Sequence, residues 1–196
     1  MVPRWALRFW PDTRAAVDDY VALDPSNHGT VLANGLCAVG CAPAIWQQRA
    51  GSAFLTVLNR GPETFAGISY TVIYSHFDDV VIPNTSDGGS SALHTGKGKI
   101  QNVAVQDICP LDTSDHLAMG SYDHVGYALA MDAFSHHGTA QPSRIGPATC
   151  VAPLQPGVNP ATFLLDYAAY GQQVGTTLLT ARRVDAEPVL PPYARS

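Results

Sequence analysis

Asp78 and His116 are the residues whose types and placement could do chemistry together. Residues 68–83 read ISYTVIYSHFDDVVIP, an apolar β-branched run that stops abruptly in Asp78 and Asp79. His116 follows a second strand-like run, in Ser114-Asp115-His116. A carboxylate just past one strand and a histidine just past the next is the arrangement that orients a general base. The carboxylate fixes the imidazole tautomer and stabilises the imidazolium. Spacing alone specifies this pair weakly, because the chain has 7 histidines and Asp79 and Asp115 are local competitors. Asp115 is better suited to shaping the loop, since adjacent residues rarely face each other well enough for a base-orienting bond.

Such a pair normally serves a nucleophile. A serine on a sharp strand-to-helix turn reads GxSxG, and the sequence contains no such motif. Gly120-Ser121 precedes a predicted helix but lacks the flanking glycines, and Ser90-Ser91 follows two glycines with no strand before them. Cys37 and Cys41 lie in an apolar helical stretch with no base nearby in sequence. Cys37 and Cys41 as a CxxxC zinc pair would need two further soft ligands, and the adjacent His136-His137 alone do not make a site, so no metal or cofactor is expected. His28 stands in a loop at a strand end, where parallel sheets keep ligands, but Asn27-His28-Gly29 also builds a turn.

These side chains need elements to position them. Residues 2–10 suit a helix with Pro3 in its first turn and Trp5 and Phe9 on one face; Pro11 stops it, and a short amphipathic turn fills 12–19. Tyr20-Val21-Ala22-Leu23 reads as a short buried strand closed by the turn formers of 24–29. Residues 32–41 and 43–49 read as short helical pieces, and Ser52 as the cap of a third over 53–59. Gln48, in a stretch with little charge, could line a cleft or simply pack locally.

Residues 68–75 are the strongest strand, apolar in near-continuous fashion as when helices cover both faces. The polar, Gly-rich 84–99 is loop, and 99–105 begins another strand. Ser121 is a candidate cap for a helix over 122–134, and Asn159-Pro160 opens a last helix over 161–174, weakened by Gly171 and Gly175. Pro188, Pro191 and Pro192 make the tail, 185–196, extended and surface-bound. Strand, acidic loop, strand, histidine loop, helix is an α/β order, most economically a parallel sheet.

The chain has 196 residues, 46% apolar and only 14% charged, which suits one domain, residues 1–196, with a substantial core. A net charge of -5, with 11 Lys and Arg scattered along the chain, gives phosphate backbones nothing to hold, which argues against nucleic acid as a partner. No apolar run approaches the roughly 18 residues of a transmembrane span. The residues after Met1 lack the long apolar region of a secretory signal, so either the protein stays in the cytosol or the true N-terminus precedes Met1.

Low charge, only two lysines (Lys97 and Lys99) and isolated, distant cysteines favour an oxidising compartment over four buried thiols. Cys37 and Cys41, if helical, are roughly 6 Å apart at their α-carbons, within reach of a disulfide. Cys109 and Cys150 would then form a second bridge, closing a loop of about 40 residues and stabilising by roughly 4 kcal/mol in the chain-entropy account.

Five stretches in order, RWALRFWPDTRAAVDDYVALDPSNHGTVLA, PAIWQQRAGSAF, YSHFDDVVIP, SDHLAMGS and EPVLPPYAR, resemble the C-terminal two thirds of secreted α/β-hydrolase lipases of the lipase B type, with closer cousins among actinobacterial lipases. The resemblance implies a partial α/β-hydrolase fold, Asp78 as triad acid, His116 as general base, and the Cys109–Cys150 disulfide beside the histidine. Val80 and Gln48 would line the substrate pocket. Ala186 stands where the pattern has a cysteine, and Cys37 and Cys41 are additional to it.

In that family the nucleophilic serine would fall about four residues before Met1, on the sharp turn such enzymes use. The resemblance therefore implies an N-terminally truncated domain whose complete form is a secreted lipase acting on lipid or small carboxylic esters, with peripheral contact at a lipid interface. Its isolated 196 residues would be inactive, with Tyr20–Leu23 as an exposed inner edge of the sheet. The alternatives are a pseudoenzyme fragment and a binding module that pairs with a chain supplying the missing strands.

Overall fold

The structure, a computed structural model, describes residues 1–195; Ser196, the last residue of the predicted tail, lies outside them. Among the described residues, strands β1 (Asp19–Leu23), β2 (Ser69–Tyr74) and β3 (Lys99–Ala104) form a parallel sheet in the order β1-β2-β3. Asp19 pairs with Ser69 and Ser69 with Lys99, so the three strands start level and their C-terminal ends emerge together. Helices flank this sheet in a mixed α/β fold that matches a partial α/β-hydrolase core.

β2 is central, and all but its first residue are buried, which explains its unbroken apolar run. One face packs Ile73 and Val103 against Val125, Leu129 and Ala133 of α6 (His124–Ser135). The other packs Tyr20, Tyr70 and Val72 under Leu7 of α1 (Val2–Phe9). Each fully buried aliphatic side chain here contributes roughly 1.5–3 kcal/mol of transfer free energy. α1 turns its other side, through Trp5, to Leu55 and Leu58 of α4 (Ala53–Leu58).

Leu190 and Ala194 join this cluster, so the tail is extended but partly buried rather than wholly on the surface. Glu187 explains why it docks: its carboxylate accepts from the amides of Ala53 and Phe54 at 2.8 Å each, closing the first turn of α4 beside the Ser52 cap.

The predicted helical stretch 32–41 is α2 (Val31–Leu36) followed by a 3₁₀ turn, Cys37–Val39, and α3 (Pro43–Gln48) comes next. α6 is capped by Asp123 rather than by Ser121, whose hydroxyl instead donates to the Leu117 carbonyl. The last helix, α7 (Phe163–Thr180), starts later than expected and runs past both glycines without a side-chain cap. No helix among the described residues is long and apolar enough to cross a membrane.

Disulfides join Cys109 to Cys150 and Cys37 to Cys41, with α-carbons 5.3 and 4.8 Å apart. The first ties the segment before His116 to the turn over Pro147–Val151. The second closes a tight loop onto which the chain after α7 is clasped: Val184 and Cys41 exchange backbone hydrogen bonds of 2.9 and 3.2 Å.

Candidate active site

Each strand delivers a polar residue at its C-terminal end, where open parallel sheets hold ligands. β1 is followed at once by Asp24, β2 leads through Ser75 to Asp78, and β3 leads to His116, the first residue of α5 (His116–Met119).

The His116 Nδ1 lies 3.1 Å from Asp78 Oδ2. That partner fixes the tautomer: Nδ1 carries the proton and donates to the carboxylate, leaving Nε2 as the basic nitrogen. The Asp78 side chain is fully buried and that of His116 is 28% exposed, so the base reaches solvent-accessible space and its acid does not. Asp78 Oδ1 accepts from the amides of Val80 and Val81 at 2.9 and 2.8 Å, and Asn84 Nδ2 donates to Oδ2 at 3.4 Å. These donors hold the carboxylate in place.

The strand-end loops are knitted together around this pair. Ser75 Oγ donates to the Ser114 carbonyl at 2.6 Å, and Gln106 Nε2 donates to Ser75 Oγ and to the Asp112 carbonyl at 3.0 and 3.1 Å. Thr30 Oγ1 donates to the Val80 carbonyl at 2.5 Å and accepts from the Ile82 amide at 3.1 Å. Asp115 caps α5 by accepting from the Ala118 amide at 2.8 Å, so it shapes the histidine's helix. Asp79 is exposed and offers the His116 amide a long 3.5 Å contact.

Asp24 is the member of the site that sequence reasoning missed. It is 2% exposed, has φ +40, and its carboxylate accepts from the Ser75 amide at 2.8 Å and from Asn84 Nδ2 at 3.3 Å. Its other oxygen is buried without a partner. Burial first, and the Asp78 charge second, push its carboxyl up to about 9, so Asp24 is protonated near neutrality. The signal was available: an acid at the end of the strand neighbouring the one that ends in Asp78.

A groove of about 760 Å³ runs from His116 along the open edge of β1, walled by Asp24, Ser26, Gln48 and Phe134. Gln48 Oε1 accepts from Ser26 Oγ at 3.1 Å. Val80 is half-buried beside the acid and lies outside that wall. His28 is elsewhere: its Nε2 pairs with Glu63 Oε1 at 2.7 Å, away from the groove. Asp24, Asp78 and His116 could offer three ligand atoms within 4.8 Å of one another. The Asp78 oxygens are already taken up by four donors, His116 among them.

The similarity to known proteins points the same way. The chain is 32% identical over 198 residues to lipase B of Pseudozyma antarctica, covering 100% of this chain and 57% of that protein. The crystal structure of Aspergillus fumigatus lipase B matches it with a TM-score of 0.85 at 31% identity, over 98% of this chain and 48% of that one. This is a partial α/β-hydrolase domain related to fungal lipase B. It spans about half the length of those relatives. No protein-family model matches the chain.

Proposed function

We propose that residues 1–196 form one N-terminally truncated α/β-hydrolase domain, the acid-and-base portion of a secreted serine ester hydrolase of the triacylglycerol lipase type. The observation that carries this reading is the buried Asp78 held against the Nδ1 of a half-open His116. In the complete enzyme His116 Nε2 takes the proton of a serine hydroxyl as that oxygen attacks the ester carbonyl. It then returns the proton to the leaving alcohol, and in the second half it activates the water that releases the acid. Asp78 stabilises the imidazolium formed in each half.

The serine comes from polypeptide outside these residues. Its natural seat is a parallel strand added at the open edge of β1, because such a strand would end beside Asp24 and His116, in the groove they share. Gln48 contributes to the wall for a lipid or small carboxylic ester, with Val80 beside the acid and outside that wall, and the enzyme meets its substrate at a lipid surface without spanning it. The same open edge favours a second reading, a module without turnover of its own that binds a complementing chain.

The test is hydrolysis of p-nitrophenyl butyrate by the 196-residue chain, alone and mixed with the polypeptide encoded immediately upstream of Met1. No triad-dependent turnover is expected from the chain alone, and turnover abolished by His116→Ala is expected from the mixture. His116-dependent turnover by the chain alone would overturn the assignment of the nucleophile. A 1:1 complex without turnover would favour the second reading.

A further inference from the structure

α7 is the least embedded long element of the molecule. It spans 18 residues and buries none of them, while Leu164, Leu165 and Leu179 are each more than 70% exposed. Its polar attachment to the site is a single side chain. Tyr167 Oη donates to the carboxylate of Asp115, and burial followed by that acceptor raises the phenol well above its usual range. Tyr167 is seated by ring contacts with Tyr122 and Phe163, at centroid separations of 5.4 and 6.1 Å. At the far end of α7, Arg183 Nε donates to the Gly40 carbonyl at 3.0 Å, in the loop closed by Cys37 and Cys41.

Asp115 does two things at once. It receives the Tyr167 hydroxyl, and it caps α5 through the Ala118 amide at 2.8 Å. His116 is the first residue of that helix, and its ring must meet Asp78 at 3.1 Å. A helix of one turn has almost no intrinsic stability, so its cap decides whether its first residue holds its position.

We propose that Tyr167 is a positioning residue: its hydroxyl holds Asp115 as the cap of α5 and thereby keeps His116 on Asp78, coupling α7 to the base. The proposal rests on the reading of His116 as general base, but its geometric content does not. Asp79 and Asp115 are the charged groups nearest this contact, and Asp79, exposed on its own loop, supplies no comparable tie.

The experiment reads the hydrogen-bonded Nδ1 proton of His116 by NMR in the 196-residue chain, which requires no nucleophile. The unmodified chain should show the downfield resonance of an imidazole proton held by a carboxylate. Tyr167→Phe should broaden or remove it with little change in helix content. Asp115→Asn, which can still cap and still accept, should keep it; Asp115→Ala should lose it. The double variant Tyr167→Phe with Asp115→Ala should lose no more than Asp115→Ala alone, since both act along one route. In complemented enzyme, Tyr167→Phe should lower kcat about tenfold, the size expected for one hydrogen bond to a charged group, with KM little changed.

A resonance absent from the unmodified chain, or unchanged in Tyr167→Phe, would overturn the proposal. So would additive losses in the double variant, which would mean that α7 acts by another path. Failure to obtain turnover on complementation would count against the hydrolase reading alone and would leave the resonance result standing.

Discussion

Two of the molecule's histidine–carboxylate pairs, similar in length, are set in opposite surroundings. His28 meets Glu63 at 2.7 Å and His116 meets Asp78 at 3.1 Å. Around Glu63 every neighbour is a donor. The amides of His94 and Thr95 donate at 2.7 and 2.8 Å, and the buried Arg4 stands 3.9 Å away. Burial alone would raise the Glu63 carboxyl, but the bonds from His28, His94 and Thr95 outweigh it and bring it down to about 2. Around Asp78 the donors are joined by a second acid, Asp24, whose carboxyl goes up to about 9, and the histidine opens on a groove. The same kind of pair thus ties two loops together in one place and stands over a groove in the other. Surroundings separate architecture from chemistry here, and the pair itself does not.

The largest difference should appear when each acid is neutralised. Glu63→Gln leaves Arg4, 2% exposed, without its anionic neighbour, and should cost about 3 kcal/mol in urea unfolding at pH 7. Glu63 also sets a pH window. Its folded value lies below its ordinary 4.5, so its contribution is present above about 4.5 and is lost as pH falls through about 2. Asp78→Asn should cost under about 1 kcal/mol in stability, because the amide oxygen can still accept from Val80 and Val81. In complemented enzyme the same change should lower kcat by about 10⁴, through loss of the tautomer and of the imidazolium's counter-charge. Equal stability losses at the two acids would break the comparison.

Asp24 supplies the next test, with the opposite sign. Its folded value lies above its ordinary 3.8, so its contribution is full below about 3.8 and is lost as pH rises through about 9. Asp24→Asn keeps the shape, stays neutral and can still accept from the Ser75 amide. At pH 8 the variant should be more stable than the parent by roughly 1–3 kcal/mol, and the gain should vanish near pH 4 in matched thermal melts. A variant destabilised at both values would mean that Asp24 serves the fold as an ionised acceptor.

How much of this was legible in the sequence follows from how local each cause is. β2 announced itself because burial on both faces removes polar residues, and Ser52 because its hydroxyl acts on the turn that immediately follows. Asp78 and His116 were visible as a pattern, but their meeting depends on Gln106 and Ser75 joining loops far apart in the chain, which no spacing encodes. Asp24 was hidden by the Pro25-Ser26-Asn27 turn chemistry that follows it. Ser121 and Asp123 are both good caps two residues apart, and the choice fell to Asp123 because Ser121 is used on Leu117. α7 outran its glycines because each costs only about 1 kcal/mol, and the clasp on Gly40 and Cys41 holds the chain beyond them.

The smallest expected effect concerns the histidines themselves and is the sharpest form of the comparison. His28 bridges Glu63 and the Ser90 carbonyl, at 2.7 and 3.2 Å, and so ties two loops. His28→Ala should therefore cost about 1–2 kcal/mol, as expected for a lost bond to a buried charge. His116 ties its ring to Asp78 alone, and Asp78 keeps Val80, Val81 and Asn84 when the ring is gone. His116→Ala should change the unfolding free energy measured in urea by under about 0.5 kcal/mol, the range of a surface substitution. A histidine that the fold can lose at almost no cost would then stand over a buried carboxylate and an open groove, and those surroundings set it apart from His28.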